Sequence, residues 1–272
     1  MTKEQLREME ELYLRAQDAY YVGDPIMEDP DFDELEDKLR AAGSTVINTV
    51  GGPDDDRTLV HKHMSPMLSI NKIQVNDETK FPLADILSWA AGRYPIEGTP
   101  KFDGNAIEIE YMDGKLVIAI TRGKYGKGAD VTRSLKFMAP ATISDKRHLE
   151  VRGEVVMPLE LFDKKYRPKF KNPRNLVAGI LKEGDAARAA DCVFVAYSVK
   201  VHAHGDYAHV PDSQAFLASQ GFNDAHPVKI FTVKSDSDFE RAYYDFKNYR
   251  HGESPYQLDG IVFKLHEELR AA

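Results

Sequence analysis

The sequence predicts an α+β protein built on antiparallel sheet, preceded by a small helical piece. Three observations carry this. From residue 95 onward, apolar and polar residues alternate in short runs, the two-residue period of half-buried strands. Two of those runs, NAIEIEYM and KLVIAIT, are joined by Asp113-Gly114. That dipeptide suits a tight hairpin because both positions tolerate positive φ. The strands are separated by irregular loops and single helices rather than by a regular βα alternation, which argues against a doubly wound parallel sheet.

The elements follow in order. Leu6, Met9, Leu12, Tyr13, Ala16, Ala19 and Tyr20 recur at three- and four-residue spacing and predict a helix over 3–22. Gly23-Asp24-Pro25 breaks it. Asp29 caps a second helix, with Pro30 at the first position, where a missing N–H costs nothing. Phe32, Leu35, Leu39 and Ala42 form its stripe, and Gly43 ends it. A two-helix hairpin of this size has little core of its own. The polar, turn-rich residues 44–66 read as a linker, giving a helical domain at 1–45 and a larger one at 46–272. Within the latter, a helix is expected at 77–91, strands at 149–157, 193–201 and 259–265, and a helix at 159–166. No internal repeat is visible.

Composition sets limits. The 272 residues are 42% hydrophobic and 29% charged, ordinary for a globular protein. No run approaches the roughly 20 apolar residues of a membrane span. The N-terminus is a charged helix pattern, not a signal peptide. Cys192, the single cysteine, excludes an intramolecular disulfide and a Cys-based zinc site. It lies in the apolar run CVFVAY and reads as a buried structural thiol. A cytoplasmic setting is expected. The net charge of −8 gives no support for tight DNA binding. Charge is uneven, however: residues 1–40 are strongly acidic, and KKYRPKFKNPR (164–174) is basic throughout. That run reads either as a solvated face or as a loop beside a phosphate.

Four short segments can carry chemistry. Lys101-Phe102-Asp103-Gly104 places a lysine at the start of a strand, with a carboxylate two residues on and projecting from the same face. A lysine becomes nucleophilic when nearby cations or desolvation lower its pKa. Gly104 permits close backbone approach. In LEVRGEV, Glu150, Arg152 and Glu154 share a strand face. In DGIVFK, Asp259 and Lys264 flank an apolar run. Arg122-Gly123-Lys124-Tyr125-Gly126-Lys127-Gly128 could present backbone N–H groups and cations to a phosphate, or be a plain hairpin tip. Each segment alone is weak.

Taken together and in order, the segments resemble the covalent nucleotidyltransferases and, within them, the NAD-dependent DNA ligases. KFDG looks like the nucleophile motif, LEVRGEV like the third motif and DGIVFK like the fourth. SPMLSIN (65–71) resembles the segment before the catalytic domain. TRGKYGKGADVT (121–132) and FKNPRNLVAGILK (170–182) are similar to two further stretches of the NAD-using branch. DAYYVGDPIMEDPDFDEL resembles the small Ia domain that holds the nicotinamide mononucleotide half of NAD. The resemblance covers essentially the whole chain and implies the antiparallel, ATP-grasp-like nucleotidyltransferase fold of a ligase adenylation domain.

It also implies roles. Lys101 would be adenylated by NAD, with Asp103 and Asp259 organising the lysine or a Mg²⁺ ion. Glu154 would hold the ribose, and Arg122 and Arg174 would neutralise phosphate. Lys264 would contact the AMP phosphate and hold down the Lys101 pKa. Ser69, Ile70, Thr99 and Tyr197 would line the adenosine site. Tyr20, Tyr21, Asp29, Phe32 and Asp33 would clasp the mononucleotide.

Several positions depart from the family pattern: the small-domain loop is one residue shorter, and Gly123-Lys124-Tyr125-Gly126 replaces the usual Gly-Asp-Gly. Thr99 stands where a Glu is usual, Tyr21 where a His is common, Phe32 where a Tyr is common, and Lys182 where an Arg is usual. The sequence ends eight residues after Lys264, before the family's fifth motif and its DNA-gripping domains. A split ligase whose second subunit supplies the rest, a fragment and a remnant all fit that ending. Nicked DNA would be reached through the absent domains. Two other functions compete with this one: a noncatalytic nucleotide-binding or assembly subunit, and an RNA-ligase or capping-type enzyme using a nucleoside triphosphate.

Overall fold

In the computed structural model, residues 2–22, 26–27, 29–48, 61–67, 70, 72–73, 75, 82–124, 126–167, 169–204, 206–210, 212–223 and 228–265 are described. Contacts divide the chain into two compact units. One comprises residues 1–69 and 120–130; the other comprises 70–119 and 131–272.

The first unit opens with the expected helix hairpin, Lys3–Val22 and Asp29–Ala41. Tyr13, Leu35 and Leu39 are buried where the helices meet, with Leu6, Met9 and Phe32 packed around them. Leu12, assigned by spacing to the buried face, is exposed. Two narrow helices cannot cover a stripe that wide. Of the expected linker, residues 49–60 lie outside the described residues. Strand β1 (His61–Lys62) pairs antiparallel with a later two-residue strand, Lys127–Gly128.

The second unit holds two antiparallel sheets. In chain order its strands are β2 (Ile96–Phe102), β3 (Asn105–Met112) and β4 (Lys115–Thr121), the last running into the first unit. With Lys127–Gly128 as β5, there follow β6 (His148–Val156), β7 (Val193–Ala203), β8 (Asp206–His209), β9 (Phe231–Val233) and β10 (Leu258–Leu265). The larger sheet has the order β4-β3-β6-β7-β8 and the smaller β10-β2-β9. The β3–β4 hairpin turns at Asp113-Gly114, both at positive φ, as the dipeptide requires.

Each sheet buries one apolar face. Ile107, Ile109, Leu149, Val151, Phe194 and Val199 of the large sheet pack against Leu176, Val177 and Ile180 of the helix Pro173–Glu183. Ile96, Phe231 and Val233 of the small sheet pack against Phe239, Ala242 and Phe246 of the helix Asp238–Gly252. The helix expected over 77–91 is seen from Leu83 to Ala90, after Pro82, while residues 76–81 lie outside the described residues. The helix expected over 159–166 closes with a wide π turn, Phe162–Tyr166. Cys192 is buried and free, its thiol pushed up to about 12 by burial, consistent with a structural role.

The other face of the large sheet carries a buried ion network. Glu150 is fully buried and receives Arg152 Nε at 2.6 Å, His202 Nε2 at 2.9 Å and Lys200 Nζ at 3.5 Å. Arg152 also reaches Glu108 at 3.3 Å. The shared face of Glu150 and Arg152 is therefore an internal salt-bridge cluster.

Candidate active site

Lys101 is the penultimate residue of β2, not the first residue of a strand as the sequence suggested. The reason is a change of sheet. β2 belongs to the small sheet and β3 to the large one, and Asp103-Gly104 is the crossing between them. Asp103 therefore leaves the strand instead of sharing its face with Lys101. Gly104 is required there. A Cβ at this position would lie 2.2 Å from the Val155 carbonyl oxygen and 2.9 Å from Glu154 Cγ. The crossing thus brings the lysine-bearing segment against the strand that carries Glu154.

Across from Lys101 runs β10. Leu258 pairs with Phe102 and Gly260 with Lys101, so Asp259 is an extra residue with no opposite number. Such a bulge redirects a side chain, and here the Asp259 carboxylate accepts a hydrogen bond from the Lys101 ammonium. A second bulge does the same for Tyr197. Arg152 pairs with Ser198 and Gly153 with Ala196, which leaves Tyr197 unopposed on β7. Its ring lies 5.2 Å below the Lys264 ammonium, a cation–π distance. Lys264 itself pairs with Glu97. That register sets it four residues, about 13 Å of strand, from the level of Lys101.

Arg174 comes from the helix Pro173–Glu183. Asn172 caps this helix, its side chain accepting the Arg174 N–H at 2.7 Å, with Pro173 at the first position. The Arg174 guanidinium meets Asp103 Oδ1 at 3.1 Å. Thr99, 6% exposed, lies two residues before Lys101 on β2.

These charges perturb one another. Burial pushes the Glu154 carboxyl up to about 8, against the pull of Arg174 and Lys101, with Asp259 and Asp103 adding repulsion. Burial likewise raises Asp103, opposed mainly by Arg174. The acids Asp103, Asp259 and Glu154 act on one another and on the cations Lys101 and Arg174, an arrangement suited to orient an amine.

The remaining expected residues are distributed as follows. Arg122, in the first unit, donates from Nε to the Met67 carbonyl at 3.3 Å, and its own carbonyl contacts His63 Nε2 at 2.9 Å. In the glycine-rich loop, a Cβ on Gly128 would lie 1.8 Å from the Thr121 carbonyl oxygen, so that glycine serves a close backbone crossing. Phe32 stacks on Tyr13 at 4.9 Å between ring centroids, one ring face taken up by the hairpin core. Tyr20 and Tyr21 fall in the first helix, and Asp29 and Asp33 in the second, with side chains outside the described residues. Ser69 lies outside them too, and Ile70 is exposed. Among the described residues, no three His, Cys, Asp or Glu side chains are grouped to hold a metal ion. None of the described helices is long and apolar enough to cross a membrane.

Sequence reasoning missed Asn105. Its side-chain Nδ2 donates to the Arg174 carbonyl at 3.1 Å. Only its position directly after KFDG hinted at it.

A lysine among acids and a guanidinium, where two antiparallel sheets meet, defines an amine-centred site with the charges to handle a phosphate. Comparison with known proteins gives this class a family. A family model described as the NAD-dependent DNA ligase adenylation domain matches residues 58–271, and one described as the PGRL1 N-terminal domain matches residues 7–50. A DNA ligase of Psychrobacter cryohalolentis is 34% identical over 91% of this chain and 39% of its own length. A DNA ligase of Natronomonas pharaonis is 30% identical over 90% of this chain and 39% of its own length. An RNA ligase of Naegleria gruberi, solved with AMP and manganese, is 11% identical with a TM-score of 0.36, over 78% of this chain and 58% of that one. The chain belongs to the NAD-dependent DNA ligase adenylation-domain family. It spans about two fifths of the length of the curated DNA ligases it matches.

Proposed function

We propose that this chain carries out the first step of NAD-dependent DNA ligation, the transfer of AMP from NAD to Lys101. The Lys101 amine, once deprotonated, attacks the adenylyl phosphorus. The Nζ–P bond forms, the bond to the nicotinamide mononucleotide phosphate breaks, and the mononucleotide leaves with the electron pair. The observation that carries this reading is the Lys101 ammonium held by the bulged Asp259 beside Asp103, Arg174 and Glu154. Positioning and charge relief are what a phosphoryl transfer asks of a protein.

The other residues have matching tasks. Arg174 and Arg122 neutralise phosphate oxygens, Glu154 binds the ribose hydroxyls, and Thr99, Tyr197, Ser69 and Ile70 line the adenosine. Lys264 contacts the AMP phosphate. Tyr20, Tyr21, Asp29, Phe32 and Asp33 receive the nicotinamide mononucleotide. Asp103 and Asp259 are hard oxygen donors of the kind Mg²⁺ accepts alongside substrate phosphates, and they would hold it. Bound there, Mg²⁺ would polarise the phosphoryl oxygens. The adenylate so formed serves the sealing of nicked DNA, in the cytoplasm, together with a second ligase subunit.

Transfer of label from adenylate-labelled NAD to the chain, with release of nicotinamide mononucleotide, tests the proposal. Label taken from ATP and not from NAD would assign a different donor. No label from either would favour a binding subunit.

A further inference from the structure

We infer that Asn105 is a positioning residue that fixes Arg174 over Asp103 by gripping the Arg174 backbone. The inference rests on the adenylation reading above for its kinetic consequence, and on geometry for its cause.

Arg174 is held at both of its peptide groups. Its N–H donates to Asn172 Oδ1 at 2.7 Å, and its carbonyl accepts from Asn105 Nδ2 at 3.1 Å. The two asparagines come from different places. Asn172 precedes Arg174 by two residues and caps its helix. Asn105 opens β3, 69 residues away in sequence. The second bond therefore ties the helix start to the strand that follows the lysine segment.

That strand start is itself pinned. Gly104 passes so close to Val155 that a Cβ would lie 2.2 Å from its carbonyl oxygen, and Asn105 pairs with Val155 in the sheet register. Lys101, Asp103 and Asn105 thus sit on one short, rigid stretch. Through Asn105 the same stretch fixes the residue whose guanidinium meets Asp103 at 3.1 Å. Arg174 moves with its helix, and the cap that holds the helix start comes from the same local segment. A hydrogen bond from another element ties that start to β3. The benefit goes to Arg174, whose side chain is long and only partly buried, and whose use depends on where its fork points.

An amide is the group this geometry needs, since the acceptor is a carbonyl and an N–H must be supplied. Leu is similar in size but cannot donate, so Asn105→Leu removes the bond while filling the space. Asn105→Ser, too short to reach, serves if the leucine variant does not fold.

The experiment has two arms on the full chain. In the first, adenylation by NAD is measured for wild type, Asn105→Leu, Arg174→Ala and the double variant. Arg174 meets phosphate charge that is present in bound NAD and in the transition state alike, so its misplacement should appear in KM. Asn105→Leu should raise KM for NAD about tenfold with kcat within about twofold, and should add less than about twofold to Arg174→Ala. Independent, multiplying losses would overturn the inference, because Asn105 would then act by another route. In the second arm, a crystal structure of Asn105→Leu should show the guanidinium away from Asp103. An unmoved Arg174 would overturn it equally. Should the wild type take no AMP from NAD, the adenylation reading fails while the second arm still decides the role of Asn105.

Discussion

Replacing Glu154 by Gln should make the protein more stable than wild type at alkaline pH and leave the two nearly equal in acid. Burial raises the Glu154 carboxyl to about 8 from an ordinary 4.5. The folded state thus keeps a proton that the unfolded chain has already lost. The associated stability is fully present below the unfolded value and falls as pH rises through the folded one. Between about pH 4.5 and pH 8 the wild type should lose about 1.4 kcal/mol per pH unit through this group. The summed loss is about 2 to 5 kcal/mol, the lower figure allowing for the part of the carboxylate that water reaches. Gln cannot ionise, so its stability carries no such slope. Urea unfolding of both proteins at half-unit steps from pH 5 to pH 9 measures the difference directly. The Gln variant should draw ahead through the neutral range and hold its lead above pH 8.5. A difference that stays flat across the series would refute the claim that burial dominates Glu154.

Other perturbations read separate parts of the structure. Gly104→Ala forces a Cβ to within 2.2 Å of the Val155 carbonyl and should cost about 3 kcal/mol or more, read as a fall in urea midpoint at unchanged slope. Asp259→Asn breaks an ion pair whose partners are 42% and 37% exposed. It should change stability by less than about 1 kcal/mol yet slow AMP transfer by about a hundredfold; equal damage to both would make Asp259 merely structural. Glu150→Ala strands Arg152, Lys200 and His202 around a vanished carboxylate. A loss of about 3 to 5 kcal/mol is expected, checked by thermal unfolding.

The sequence made some of this legible because local rules governed it. Periodicity placed the hairpin of Lys3–Val22 and Asp29–Ala41, and Asp113-Gly114 placed the β3–β4 turn. Asn172-Pro173, by contrast, reads locally as the end of a basic loop, whereas it caps and opens the helix Pro173–Glu183. What escaped notice depends on pairing between distant strands. Lys101 reads locally as the start of a strand because nothing nearby reveals that the chain changes sheets at Asp103-Gly104. The bulges at Asp259 and Tyr197 are one-residue slips in register, visible only when the partner strand is known. Asn105 reaches a carbonyl 69 residues away, and no periodicity reports such a contact. The alternation over 149–157 predicts a strand with Glu150 and Arg152 on one face, and β6 runs over His148–Val156. The depth of their burial came from β3 and β7 on either side.

Lys101 should become covalently bonded to AMP when the chain is incubated with NAD and Mg²⁺. After proteolysis, mass spectrometry should find an added mass of about 329 Da on the peptide containing Lys101, absent when Lys101→Met is treated alike. The same mass on a different lysine, or its persistence in Lys101→Met, would contradict it.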